Sequence, residues 1–134
     1  MASFELNERL RADSQLVTNL GLCQLRLMED SRWPWFVLIP QRPGIEEVFE
    51  LTPLDQAMLT FETNLVGQAL KKSTNATKIN VGALGNIVRQ LHVHVIARQE
   101  NDANWPGPIW GFGARQAYDD TARQQLITKV MESI

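Results

Sequence analysis

One cysteine, one tyrosine and only two histidines occur in 134 residues, and each scarcity excludes something. A lone Cys23 cannot form an internal disulfide. Its setting, Leu22-Cys-Gln-Leu-Arg-Leu27, reads as a small buried strand residue rather than a reactive thiol. Charge of one sign is lacking as well: the formal net charge is −2, without the concentrated basic face that duplex nucleic acid requires, so no nucleic-acid partner is expected. No stretch approaches the roughly 18 apolar residues of a membrane span. The opening Met1-Ala-Ser-Phe-Glu-Leu-Asn7 has no basic segment leading into an apolar one. A cytoplasmic protein with no membrane partner is the expectation. Repeats and low-complexity segments are missing too. A hydrophobic fraction of 44% suits one domain over residues 1–134.

Hydrophobic spacing supplies the elements. Leu6, Leu10, Leu16, Val17 and Leu20 fall near helical intervals, which predicts a helix from about Phe4 to Leu20 with Ser3 as N-cap and Gly21 as stop. The runs Leu22–Met28 and Trp35–Pro40, separated by Glu29-Asp-Ser-Arg32 and Trp33-Pro34, predict a hairpin. Thr52-Pro53-Leu54-Asp55 combines an N-cap, a proline at the first helical position and an acid at the positive helix end. A long helix is predicted from there to near Ser73, with Leu54, Met58, Phe61, Leu65, Ala69 and Leu70 as its core-facing stripe. A strand through Ile79–Val81 and a turn over Gly82–Gly85 lead into a second hairpin. A glycine- and proline-rich loop covers 101–113, and a last helix runs from about Asp119 to Met131. Strands and helices in blocks indicate an α+β fold with an antiparallel sheet and flanking helices.

Both histidines lie in Arg89-Gln-Leu-His-Val-His-Val-Ile-Ala-Arg98, which alternates with a period of two. Gln90, His92 and His94 are thus predicted on one open strand face, with Leu91, Val93 and Val95 turned into the core. Side chains two apart on a strand stand roughly 6.5–7 Å apart at the backbone, so their rings can converge on one ligand. Three readings fit. One imidazole is a nucleophile toward phosphorus while the other holds phosphoryl oxygens; both are metal ligands; or both are polar residues on an exposed sheet. The metal reading has a cupin form, with Gly85, His92, His94, Glu100 and Gly107 near that family's pattern. Two of its spacers are one residue too long, however, and no histidine follows His94. Neither a metal nor a cofactor is therefore expected.

The segment Gly85-Asn-Ile-Val-Arg-Gln-Leu-His-Val-His-Val-Ile96 resembles the signature of the histidine-triad (HIT) family, His-φ-His-φ-His-φ-φ with φ apolar. Phe36-Val-Leu-Ile-Pro-Gln-Arg-Pro43 is similar to the family's strand ending in Pro-x-Arg, and Asn80-Val-Gly82 to its Asn-x-Gly. The resemblance covers most of residues 22–98. It implies a homodimeric nucleotide hydrolase or nucleotidyl transferase that cleaves at the α-phosphate of a nucleoside polyphosphate, dinucleoside polyphosphate or phosphoramidate. His92 would be the nucleophile, His94 a contact to phosphate and leaving group, and Asn80, Asn86 and the backbone at Ile87 a phosphate cradle, with turn chemistry an equal alternative for Asn80 and Asn86. It also implies a ribose contact at Asp30, where a turn-forming role is the plainer alternative.

Three positions depart from the family pattern. Gln90 replaces the first histidine and cannot titrate; Trp35 stands where the preceding strand often has a histidine; Ile87 replaces a hydroxyl residue. These departures keep open a catalytically weak nucleotide-binding or regulatory module. Of four tryptophans, Trp105, beside Pro106, is the candidate to fold over the histidine face and meet a nucleobase, with core or interface packing the plainer role for each of the four. Arg98 is a candidate phosphate partner, with a solvated arginine equally consistent.

Overall fold

The computed structural model describes residues 2–134. Helix α1 (Glu8–Asp13) runs directly into β1 (Ser14–Asn19), and β2 (Cys23–Met28), β3 (Trp35–Pro40) and the long helix α2 (Pro53–Thr74) follow. Strands β4 (Lys78–Gly82) and β5 (Val93–Arg98) and helix α3 (Asp120–Ser133) complete the chain. The five strands form one antiparallel sheet in the order β1-β2-β3-β5-β4, so β5 is enclosed between β3 and β4. Both predicted hairpins are present, the second with a connection over residues 83–92 and Gly82 inside β4, rather than a turn at Gly82–Gly85. Among the described residues no helix is long and apolar enough to cross a membrane.

Strand alternation divides the sheet into two covered faces. Leu25, Leu27, Phe36, Leu38, Val93, Val95 and Ala97 join Leu59, Val66 and Leu70 of α2 and Ile127 and Val130 of α3 in the main core. On the reverse face Val37 and Ile39 pack against Leu6 and Leu10 from the N-terminal segment, while Ile96 packs with Trp33 and Ile109. His94 pairs with Val37 on β3 and Gly82 on β4, which sets it on this reverse face.

Two sequence expectations are corrected. The helix predicted from Phe4 to Leu20 is a single short helix, N-capped by Asn7 rather than Ser3, followed by a strand. Residues Ser14 to Asn19 pair along β2 with an irregularity between Leu16 and Thr18, and Arg26 Nε donates to Ser14 Oγ at 2.7 Å. A neighbouring strand with open ladder groups outweighs helical spacing that is only approximate. The second correction concerns α2, whose N-cap at Thr52 and end at Thr74 agree with prediction. Its buried side is Leu59, Glu62, Val66, Gly67, Ala69 and Leu70, whereas Leu54, Met58 and Phe61 are exposed. Glu62 sets this rotation: its carboxylate accepts from the backbone N–H of Leu22 at 2.8 Å and of Cys23 at 2.9 Å. Burying a carboxylate is tolerable only with such partners. Cys23 is buried as predicted, and that burial, reinforced by Glu62, pushes its thiol pKa up.

Candidate active site

The two imidazoles are placed by different means. His94 belongs to β5, but His92 lies one residue before it, at the end of a loop held by a hydrogen bond from Leu91 N to Ile45 O at 2.9 Å. Their ring centroids are 4.9 Å apart, with planes at 68°. The face predicted to be open is covered: His92 is only 7% exposed and His94 5%. Nδ1 of His92 lies 2.7 Å from the carbonyl oxygen of Gln90. A carbonyl only accepts, so Nδ1 carries the proton and the lone pair is left at Nε2. Nδ1 of His94 accepts from Trp35 Nε1 at 2.9 Å. Burial lowers the pKa of His92 below its ordinary 6.5. For His94, burial and then the neighbouring His92 push it down to about 3. Both rings are therefore neutral at pH 7.

Tryptophans wall the pair. Trp35 lies 5.7 Å from His94 and Trp110 lies 5.5 Å from it, the latter edge-on at 75°. Gly82, the β4 partner of His94, makes room for Trp110: a Cβ there would stand 3.0 Å from the indole ring. Two adjoining cavities share Asp13, Met28, Trp35 and Trp110 as lining. One, of about 350 Å³, reaches Arg9, Asn86, Ile87, His92 and His94. The other, of about 260 Å³, reaches Asp30, Arg32, Phe112 and Arg115.

Not every sequence candidate meets the histidines through its side chain. The Gln90 amide is a clasp on the N-terminal segment, donating to Glu5 O and accepting from Asn7 N, each at 2.8 Å. Its backbone carbonyl, not its side chain, touches His92. Asn80 Oδ1 accepts from Arg98 at 3.3 Å. Arg98 itself is buried, with its donors directed at Asp102, Asn80, Gly107 O and Ala103 O; it anchors the loop after β5. Trp105 stands over that guanidinium, 5.6 Å from ring centroid to Cζ, and Trp110 is the loop tryptophan beside His94. Asp30 lines the second cavity, but Arg32 grips both its oxygens and Gln116 N donates to it. Burial alone would raise the pKa of Asp30, yet the Arg32 hydrogen bonds outweigh it and hold the carboxyl below the usual range. Asn86 and Ile87 are exposed at the mouth of the histidine cavity.

Sequence reasoning missed the contacts of Trp35 and Trp110. Register pairing of Gly82 with His94 is the one local signal for Trp110, because a glycine opposite a functional residue leaves room for a ring. Among the described residues no three or more His, Cys, Asp or Glu side chains converge as a metal cluster.

The HIT domain family model matches residues 9–101. Among curated proteins none matches the chain. A histidine triad protein from Sinorhizobium meliloti 1021 has a crystal structure 62% identical in sequence. The similarity covers 98% of this chain and 97% of that one, with a TM-score of 0.97. A histidine triad protein from Bradyrhizobium japonicum is 39% identical over 99% of both chains, with a TM-score of 0.97. Another from Marinobacter aquaeolei VT8 is 37% identical over 98% of this chain and 96% of that one, with a TM-score of 0.96. With the family model spanning all five strands and such likeness holding over nearly the full length, the chain belongs to the HIT domain family.

Proposed function

We propose that this protein is a nucleotide hydrolase or nucleotidyl transferase that works through a covalent nucleotidyl-His92 intermediate. Members of the HIT family are nucleotide-binding or nucleotide-hydrolysing proteins. The observation that carries the finer reading is the 2.7 Å contact from His92 Nδ1 to Gln90 O, which leaves a neutral Nε2 lone pair beside the cavity. In the proposed step Nε2 attacks the α-phosphorus and the bond to the leaving group breaks. The electron pair leaves with that group, which takes a proton from solvent. Water then cleaves the phosphorus–nitrogen bond, releasing nucleoside monophosphate and restoring His92. His94 and Asn86, with the backbone at Ile87, hold phosphoryl oxygens, and the cavity at Asp30 takes the nucleoside against Trp35 and Trp110. Gln90, in the first position of the motif, serves through its carbonyl.

The protein works as a single domain over 1–134 and as a homodimer. What supports the second copy is the apolar surface of α2 at Leu54, Met58 and Phe61, together with the edge strand β4. One observation favours a weakly catalytic nucleotide-binding module: the Gln90 amide is occupied by residues 5–7, so the side chain at the first position of the motif does not assist the two imidazoles. Dinucleoside polyphosphates and nucleoside phosphoramidates, incubated with wild type and His92→Ala without metal, decide between them. Release of nucleoside monophosphate by wild type alone supports transfer. Binding without release by either protein would replace it with the binding module.

A further inference from the structure

We propose that Trp35 is a positioning residue: its indole N–H, held on Nδ1 of His94, locks that imidazole in the neutral tautomer protonated at Nε2. The lock leaves a fixed hydrogen-bond donor at Nε2 of the imidazole whose ring lies 4.9 Å from that of His92. The inference deepens the transfer reading above and rests on it for the use to which the donor is put.

Donors and acceptors fix both tautomers. An indole nitrogen can only donate. At 2.9 Å from Trp35 Nε1, Nδ1 of His94 must therefore be the acceptor, and the ring proton sits on Nε2. Protonating His94 would place two N–H groups against each other and forfeit the bond. His92 is held the opposite way, by a carbonyl at its Nδ1. The two rings, 4.9 Å apart, thus carry complementary tautomers, one with a lone pair at Nε2 and the other with a donor there. His92 is the titratable group packed against His94, and Arg9 and Asp13 are the charged side chains lining the same cavity. Trp35 can hold this position because β3 pairs it with Ile96 and Val37 with His94, so Trp35 and His94 share one face of adjacent strands. A donor fixed in this way binds phosphoryl oxygen without delivering its proton, so the leaving group must be protonated from elsewhere.

Trp35→Phe keeps an aromatic side chain, though a smaller one, and removes the N–H. Trp110→Phe is its control, because Trp110 also packs on His94 but its Nε1 makes no hydrogen bond among the described residues. The readout is the nitrogen chemical shifts of both imidazoles by NMR across pH, which also report folding through spectral dispersion. The expected result is His94 Nδ1 unprotonated in wild type and in Trp110→Phe, and tautomer exchange with a raised His94 pKa in Trp35→Phe. For hydrolysis of an adenosine phosphoramidate, kcat at saturating substrate in Trp35→Phe should fall about tenfold, separate from any change in KM that the smaller ring brings to the nucleoside wall, and the acid limb of its pH profile should move upward. A protonated Nδ1 in wild type, or a tautomer unmoved by Trp35→Phe, would overturn the lock. A locked tautomer in a wild-type protein that hydrolyses nothing would uphold the lock and remove only the transfer reading.

Discussion

At the residue scale, two buried neutral imidazoles must leave a mark on stability. An unfolded histidine takes up a proton near its ordinary pKa of 6.5, but the folded site resists protonation of His92 and holds His94 down to about 3. Stability is therefore full above pH 6.5 and is lost as pH falls from there toward about 3, because the unfolded chain binds more protons. The midpoint of thermal unfolding, followed by circular dichroism, should start to fall below pH 6.5, before the carboxylates titrate. His94→Phe should weaken that early decline. An unchanged midpoint from pH 6.5 down to the carboxylate range would mean that the rings are not desolvated in solution. The same desolvation keeps the proposed nucleophile unprotonated at neutral pH, which connects packing to chemistry.

At the element scale, the loop after β5 depends on one cation. The Arg98 side chain is 1% exposed and forms a paired contact to Asp102, besides bonds to Asn80 and to two carbonyls of the loop. Burial alone would raise the pKa of Asp102, yet the Arg98 hydrogen bonds outweigh it and hold the carboxyl low. Arg98→Met leaves that carboxylate and those carbonyls without their partner. Breaking such a buried pair costs about 3–5 kcal/mol, and denaturant unfolding should show a loss of that order. Trp110 sits on this loop, so its fluorescence should also become more exposed to quenchers. A loss under about 1 kcal/mol would assign Arg98 to solvent-screened pairing instead.

At the scale of the whole molecule, α2 carries an exposed apolar face. Phe61 is 62% exposed and Leu54 76% on a helix whose opposite side is committed to the core. A second copy of the chain covers it in the proposed dimer, since isologous pairing of one such face on another is the commonest closed assembly. Phe61→Lys should convert the dimer to a monomer in sedimentation velocity without loss of secondary structure. A wild-type monomer at tens of micromolar protein would rule the dimer out.

What the sequence determined by itself was local. Period-two alternation placed Val93 and Val95 in the core and His94 on the reverse face, the Thr52-Pro53 pair began α2 where it begins, and Gly- and Pro-rich composition left 101–113 without regular structure. Those features follow from backbone geometry within a few residues. Tertiary structure decided the rest, because a buried polar group takes whichever partner the fold brings near, at a separation that no spacing records. Glu62 turned the α2 stripe by bonding backbone 40 and 39 residues away. Gln90 was drawn to a segment 83 and 85 residues upstream rather than to the histidines. Ser14 to Asn19 became a strand because β2 lay open beside it. The complementary protonation of His92 and His94 depends on a carbonyl and an indole that only the folded sheet sets against them.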